Sequence, residues 1–460
     1  MTKKEVKKKT FQLIKGMKDI LPAEQKYWEY IISEVKKIAR QYGFERIDIP
    51  VVEATDLFSR SVGQATDIVE KEMYSFVDKG NENISLRPEF TAGIMRAYIE
   101  HGMLDLPQPI KVYTIGPCFR YDKPQAGRYR QFHQFNFEII GEEDPVCDAQ
   151  IIQIAYKINC VIGLEVNVQI NSVGCPICRP DYEQVLKEYF KKHRSKLSEV
   201  SQKRLAKNTL RILDSKEEQD QSFIEEAPQQ VDYLCEECRN HFIRVLEYLD
   251  ELEVPYILNP TIVRGLDYYT RTIFEVTPVE VSDSDKEQSR QTALGGGGRY
   301  DGLIELLGGR STPSLGFASG IERLILQIKE KNIKIPTPPS CDILLTQLGE
   351  DARKKALVLF EELTKAGFKV REAFSKNGLK PQLEIANRLG VKLALILGQK
   401  EMIDGTIMIR DMDGGIQEIV DYQKVIPEIK KRLEKLAIVN IKLDNKNKSM
   451  HPASEVPDKE

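Results

Sequence analysis

After Leu21-Pro22, apolar residues at Trp28, Ile31, Ile32, Val35, Ile38 and Ala39 recur at three- and four-residue intervals and stop at Tyr42-Gly43. That spacing predicts a helix with one buried face. Residues 44–52 are extended in pattern, and Pro50 confines them to an edge strand or a bulge. Residues 84–87 read as extended and 91–101 as helical. Two further extended segments, 111–121 and 131–140, flank a polar turn and predict an antiparallel hairpin. In the second, the two-residue period sets Phe135, Phe137 and Ile139 on one face and Gln134, Asn136 and Glu138 on the other. That polar face is either half exposed to solvent or lines a polar pocket.

Residues 172–259 change character: the pattern is helical and rich in Lys, Arg, Glu and Gln. Strands resume at 267–277, 291–297 and 314–319, followed by a helix at 321–331. A β-rich core is thus interrupted by a helical insertion. Ile335-Pro-Thr-Pro-Pro-Ser340 has the composition of a stiff linker. Beyond it, strands at 342–347, 368–372, 393–397 and 407–410 alternate with helices at 352–366 and 379–389, which predicts a separate small α/β domain. The Lys-rich start and the polar tail from about Asp444 are expected to stay solvated, the tail disordered.

Composition narrows the class. The 460 residues suit about three domains or lobes, and 41% hydrophobic with 30% charged residues is the balance of a globular protein. No apolar run is long enough for a membrane helix, and the basic start leads into no signal-peptide core. Eight cysteines in so long a chain do not make a disulfide framework, so a cytoplasmic setting is expected. With 67 basic and 70 acidic residues, binding of polyanions by bulk charge is excluded and only local basic patches remain. One such patch spans 187–207, where eight Lys/Arg face two Glu, the pattern of a solvated helix face or a nucleic-acid contact.

Neither a P-loop nor a dinucleotide fingerprint is present, since Gly295 to Gly298 continues as Arg-Tyr-Asp-Gly. A nucleotide would therefore have to be met by arginine side chains. Arg120, Lys123, Arg128 and Arg130 surround the hairpin turn and suit a polyphosphate or nucleic-acid end, or simply water. Arg264-Gly-Leu-Asp-Tyr-Tyr-Thr-Arg271 sets two tyrosines side by side; on a strand they point to opposite faces, so at most one meets any pocket, and both are also good core or edge aromatics. In Gly316-Phe-Ala-Ser-Gly-Ile-Glu-Arg323, Arg323 falls in a first helical turn, where the macrodipole disfavours a cation by a few tenths of a kcal/mol. A bound anion or a neighbouring carboxylate would offset this. Cys175-x-x-Cys178 and Cys235-x-x-Cys238 have zinc-knuckle spacing, although the 56 residues between the pairs exceed the gap of compact zinc ribbons. Cys118, Cys147, Cys160 and Cys341 read as buried small hydrophobes.

Together, Leu86-Arg-Pro-Glu-Phe-Thr91, Phe119-Arg120 with Gly127-Arg-Tyr-Arg-Gln-Phe-His-Gln134, the Arg264 motif, Gly297-Gly-Arg-Tyr-Asp-Gly302 and the Gly316 motif resemble the histidyl-tRNA synthetases. The resemblance runs from Lys15-Gly-Met-Lys-Asp-Ile-Leu-Pro22 to about residue 435. It implies an α+β fold: a class II antiparallel catalytic sheet over 15–334 carrying the helical insertion at 172–259, a linker at 335–341, and an anticodon-binding α/β domain at 342–435, flanked by a basic extension at 1–14 and the tail at 444–460. It also implies a homodimer built on the first long helix and the Pro50 strand. The implied chemistry is ATP-dependent activation of L-histidine, with Mg²⁺ on the pyrophosphate oxygens, then transfer to tRNA(His). Arg120 and Arg264 would stabilise the α-phosphate, Arg323 would hold the γ-phosphate, and Arg128 would also meet ATP. Glu89 and Thr91 would take the ammonium group with Gln134 nearby, while Glu138 and Tyr269, beside Tyr268, would bracket the imidazole. Phe90 departs from the smaller residues common at its position. A structural Zn²⁺ on the four paired cysteines is not a general feature of the family. The competing expectation is the regulatory relative of histidine biosynthesis, which binds histidine without charging tRNA but lacks the anticodon-type domain and tends to lose the arginines.

Overall fold

Pro22 opens a helix, Pro22–Gln41, whose buried stripe is Trp28, Ile31, Val35, Ile38 and Ala39. Proline suits that first position because its missing N–H would have had no intrahelical partner. The computed structural model describes residues 10–63, 66–125, 127–279, 293–336 and 341–436. The chain divides at 335/336 into two compact units.

The first unit is built on a sheet of eight strands in the order β1-β5-β6-β11-β10-β9-β7-β8, where β1 is Glu45–Arg46, β5 Ile110–Phe119, β6 Gln131–Ile140, β7 Val166–Ser172, β8 Tyr256–Leu258, β9 Thr270–Pro278, β10 Gly295–Arg299 and β11 Ser314–Gly320. It is antiparallel except at its two edges, where β1 runs parallel to β5 and β8 parallel to β7. The predicted hairpin is β5–β6, with Ile110 opposite Ile140 and Phe119 opposite Gln131. A small sheet, β2-β4-β3, lies apart, with β2 Val52–Ala54, β3 Tyr74–Val77 and β4 Asn83–Leu86. The stretch expected to be one edge strand at 44–52 is therefore two short edge strands, and Pro50, unable to donate to a ladder, sits between them.

One face of the large sheet carries Phe135, Phe137, Ile139, Phe274 and Phe317 into a core shared with the helices Pro22–Gln41, Pro145–Val161 and Ile321–Glu330. Phe137 stacks on Phe317 with centroids 5.3 Å apart. Elsewhere in this unit Arg299 is wholly buried and donates to Asp148 from Nε at 3.1 Å and Nη2 at 2.5 Å, while His241 Nε2 lies 3.3 Å from the same carboxylate.

The insertion packs the helices Arg179–Lys192, Glu199–Lys207 and Glu218–Glu225 around its own core of Tyr182, Leu186, Phe190, Leu205 and Ile212. It leaves the sheet at the end of β7 and returns through the helix Glu236–Glu251 to β8, so its two ends attach to neighbouring strands.

The second unit has the strand order β13-β12-β14-β15-β16, where β12 is Ile343–Gln347, β13 Val370–Glu372, β14 Leu393–Leu397, β15 Thr406–Asp411 and β16 Gln417–Asp421. β12 and β14 are parallel and buried at every residue, which explains their apolar runs. The helices Glu350–Lys365 and Leu379–Leu389 match the pattern reading; the helix Gln399–Asp404, β16 and a helix covering 425–436 add to it. Cys118, Cys147 and Cys341 are buried as expected, whereas Cys160, near the end of the helix Pro145–Val161, is exposed. The tail at 444–460, the extension up to residue 9 and most of the linker lie outside the described residues.

Candidate active site

The polar face of β6 is not solvent-exposed. Asn136 and Glu138 are 1% and 0% exposed, which decides for the pocket over the solvated face. Glu138 Oε1 accepts from Thr91 Oγ1 at 2.8 Å and from Asn136 Nδ2 at 2.7 Å. Its Oε2 is buried with no hydrogen-bond partner. Burial, reinforced by the nearby Glu89, pushes the Glu138 carboxyl well above the usual carboxylate range. Glu89 itself accepts from the backbone N–H groups of Thr91 at 2.6 Å and Ala92 at 2.8 Å, so it closes the first turn of the helix Thr91–Glu100. Burial raises its pKa too, against those backbone bonds.

β11 pairs with β6 so that Gly316 stands opposite Glu138. A Cβ on Gly316 would collide with the Glu138 carboxylate and with the Tyr300 hydroxyl. The Tyr300 hydroxyl is the second buried polar atom here without a partner. Sequence reading missed Tyr300, which follows a run of glycines and belongs to no polar periodicity; only its place in the Gly297 motif could have pointed to it.

Tyr268 and Tyr269 correct the strand argument. They lie in a turn that precedes β9, which starts only at Thr270, and their ring centroids are 4.8 Å apart. Freed from the alternation of a strand, both line one cavity, with Tyr300 5.3 Å from Tyr268. Arg264 pairs with Glu275 and lies with its guanidinium 5.6 Å from the Tyr269 ring, and its Nε is buried without a partner. Gly296 makes this possible, since a Cβ there would meet Arg264 Nη1 at 2.7 Å.

The other end of the cavity is cationic. Arg120 donates from Nε to the Pro88 carbonyl at 3.0 Å and lies over the Phe132 ring. Arg128 is 3.4 Å from Asp122. Arg323 stands at the third position of the helix Ile321–Glu330 and donates to the Ala293 carbonyl at 2.5 Å, forming no ion pair among the described residues. Burial first, then repulsion from Arg128 and Arg120, brings its pKa down to about 10. With no paired carboxylate among those residues to offset the helix dipole, an anion is the fitting partner.

The cavity holding these groups measures about 420 Å³, and every expected substrate-side residue lines it except Glu138, whose Oε1 is held by Thr91 and Asn136 and whose Oε2 abuts Gly316, itself part of the cavity wall. Phe90 is 1% exposed and packs against the Arg87 guanidinium at 4.4 Å, so it forms wall and does not narrow the ammonium end by a loose side chain. Glu72 and Glu275 also line the cavity and are at hand for a divalent cation, one or two carboxylates being what a magnesium ion takes when phosphates supply other ligands. A second space of about 580 Å³ lies on the insertion side of the Arg264–Tyr269 segment, bounded by Arg179, Lys187, Lys207 and Arg211. Arg211 reaches Asp67 at 3.0 Å and the Gly265 carbonyl at 3.2 Å, joining the insertion to the rim.

The four paired cysteines converge despite the long gap between them, because the helix Glu236–Glu251, which leads back to β8, begins beside the segment that follows β7. All four sulfurs lie within 4.8 Å of one another, with Cys175 3.8 Å from Cys178 and 3.9 Å from Cys235. Zinc–thiolate bonds of about 2.3 Å in a tetrahedron hold sulfurs about 3.8 Å apart, so the set fits a zinc ion.

An antiparallel sheet carrying a cavity with an arginine-lined end and a polar end, together with a separate α/β unit, is the architecture of a class II aminoacyl-tRNA synthetase. The histidyl-tRNA synthetase family model matches residues 16–324 and an anticodon-binding domain model matches 342–432. A histidine–tRNA ligase of Dehalococcoides mccartyi is 45% identical over 424 residues, 92% of this chain and 100% of the relative. That of Desulforamulus reducens is 44% identical over 91% of this chain and 98% of its own length. The apo histidyl-tRNA synthetase of S. aureus superposes with a TM-score of 0.76 at 36% identity, covering 91% of this chain and 99% of that one. The chain belongs to the histidyl-tRNA synthetase family.

Proposed function

We propose that the protein is a histidine–tRNA ligase: it condenses L-histidine with ATP to histidyl-adenylate, releasing pyrophosphate, and transfers the histidyl group to the 3′ end of tRNA(His). The observation that carries the histidine specificity is the pair of unpartnered buried polar atoms, Glu138 Oε2 and the Tyr300 hydroxyl, meeting at Gly316. An imidazole has a polar atom at each of two positions and satisfies such groups, whereas an apolar ring leaves them stranded. With the ring held at that end, the histidine carboxylate is directed toward the arginines.

In the first step a histidine carboxylate oxygen attacks the α-phosphorus and the α–β bridging oxygen leaves with pyrophosphate. Arg120 and Arg264 face the charge that grows on the α-phosphate, and Arg323 with Arg128 holds the outer phosphates. Glu89, Thr91 and Gln134 hold the ammonium group. In the second step a terminal ribose hydroxyl of tRNA attacks the histidyl carbonyl and AMP leaves. Magnesium accompanies ATP and screens the pyrophosphate charge. The family match over 342–432 supports anticodon recognition by the second unit, and the exposed lysines of the insertion support contact with the acceptor end.

A cytoplasmic homodimer is part of this reading. As the resemblance implies, the dimer is assigned to the first long helix and the Pro50 strand, and the exposed Val51 and Val52 beside Pro50, with Phe76 and Val77 on the small sheet, support an apolar contact there. Among the described residues no helix is long and apolar enough to cross a membrane. The four clustered cysteines are read as holding a structural zinc ion. The regulatory alternative is disfavoured by Arg120, Arg264 and Arg323 around one cavity and by the second unit.

The test is ATP–pyrophosphate exchange with each amino acid in turn. Exchange with histidine alone is expected; binding of histidine without exchange would move the chain to the regulatory class.

A further inference from the structure

The cysteine cluster is tied to the histidine pocket through one short segment. Arg179, next to Cys178, donates from Nε to the Val173 carbonyl at 3.1 Å and from Nη2 to the carbonyl of Tyr269. Two residues on, the Arg271 N–H donates to the Gly174 carbonyl at 2.8 Å and the Arg271 carbonyl accepts from the Val173 N–H at 2.8 Å. The Arg271 side chain pairs with Glu237 and lies 3.4 Å from His241 Nδ1. Glu237 precedes Cys238 in the sequence and His241 follows it by about one helical turn. Both cysteine pairs therefore grip residues 269–271, and Arg271 is held there at a φ of +52°, in the left-handed region.

The cluster is built to hold its own shape. Gly174 has a φ of +67° and would, with a Cβ, meet Cys178 Sγ at 2.8 Å. The Cys175 N–H donates to Cys178 Sγ at 3.3 Å. Cys178 and Cys235 stand at the N-terminal ends of the helices Arg179–Lys192 and Glu236–Glu251, whose dipoles favour thiolate over thiol. With the Arg179 cation beside them, these helix ends offset the negative charge of a zinc tetrathiolate.

We propose that this metal site is a positioning device for substrate: zinc bound by Cys175, Cys178, Cys235 and Cys238 fixes the backbone of residues 269–271 through Arg179 and Arg271, and thereby sets the Tyr268–Tyr269 wall and the affinity for histidine. The proposal rests on the zinc reading of the cluster. Arg179 acts here as a positioning residue, touching no substrate.

The experiment measures three quantities on the full chain: zinc per chain by elemental analysis, histidine dissociation constant by calorimetry, and KM for histidine and for ATP in pyrophosphate exchange. Wild type is expected to hold one zinc. Arg179→Met, which leaves all four thiols, should keep the zinc and weaken histidine about ten-fold in both Kd and KM, with KM for ATP changed less than about two-fold. Cys235→Ser should lose the zinc and show the same histidine-selective shift. Arg179→Met with zinc retained and histidine affinity unchanged overturns the coupling and leaves the zinc reading standing. A chain that holds no zinc after incubation with zinc salts overturns both. Equal weakening of histidine and ATP overturns the positioning role in favour of general destabilisation. Should Cys235→Ser not be recovered folded, Arg179→Met decides alone.

Discussion

On the proposed reading, Glu138 serves recognition at the expense of stability. Its carboxyl is ordinarily half-ionised near about pH 4.3 in an unfolded chain, and burial raises that value on folding. An acid with a raised folded pKa is neutral in both states at low pH; as pH rises through the unfolded and then the folded value, folding must hold back an ionisation, and stability falls. Glu138→Gln keeps an acceptor for Thr91 and Asn136 and removes the ionisation. Urea unfolding of the ligand-free variant should therefore show a higher midpoint than wild type at about pH 8 and the same midpoint near about pH 4. Its kcat/KM for histidine should fall about 10- to 100-fold, the loss of one charged hydrogen bond. Asp148 behaves oppositely. Burial opposes its ionisation, yet Arg299 and His241 hold its pKa down to about 2, so its contribution to stability is present above about pH 4 and lost as pH falls toward 2. Asp148→Asn removes the stronger of the two carboxylates paired with buried Arg299, the other being Asp301 at 3.2 Å, and should cost about 1–3 kcal/mol in urea unfolding at about pH 7.

At the scale of elements, the site is the seam between β6 and β11. Gly316→Ala would drive a methyl group into the Glu138 carboxylate, the Tyr300 hydroxyl and the Phe137 carbonyl at once. Histidine-dependent pyrophosphate exchange should drop by about 100-fold or more while the fold survives, a result that circular dichroism beside the exchange assay would check. The alternation of β6 was legible in the sequence because a strand obeys a strict period, and it placed Gln134 and Glu138 on one face without any knowledge of their neighbours. The shared direction of Tyr268 and Tyr269 was not, because aromatic residues fit strands and nothing local distinguishes a strand from the turn that leads into one. Tyr300 gained its role only from pairings between segments far apart in sequence. In the insertion, Lys187, Lys191, Lys192 and Lys196 carry the basic run. Reversing them to Glu should weaken tRNA binding, lower its salt slope by about 0.7–0.9 for each phosphate no longer neutralised, and leave histidine activation intact; filter binding across a salt series reads this directly.

At the scale of the molecule, the chain folds as two units with separate cores, and on the proposed reading the first carries the chemistry while the second contributes tRNA recognition. A chain ending at residue 335 should retain histidine-dependent pyrophosphate exchange within a few-fold and lose charging of tRNA by orders of magnitude, as aminoacylation assays on the truncated protein would record. This division was legible because Pro-rich composition and a switch from hairpin to strand–helix alternation mark it on the chain. The tie between the cysteine pairs was not, since two segments separated by most of the insertion become neighbours only when the helix Glu236–Glu251 starts beside the end of β7.

The order of strands in the large sheet bears on how the protein is made. β11, last of its strands in sequence, enters between β6 and β10, and the helix that follows it shares a core with the first helix of the chain, where Lys329 meets Glu24 at 2.6 Å. A nascent chain leaving the ribosome has no floor to its amino-acid pocket until Gly316 arrives and no completed arginine cluster until Arg323 does. Such distant pairings close late and slowly. Fragments released before Arg323 is made are accordingly expected to activate no histidine, so translation abandoned up to that point leaves behind no enzyme that consumes ATP.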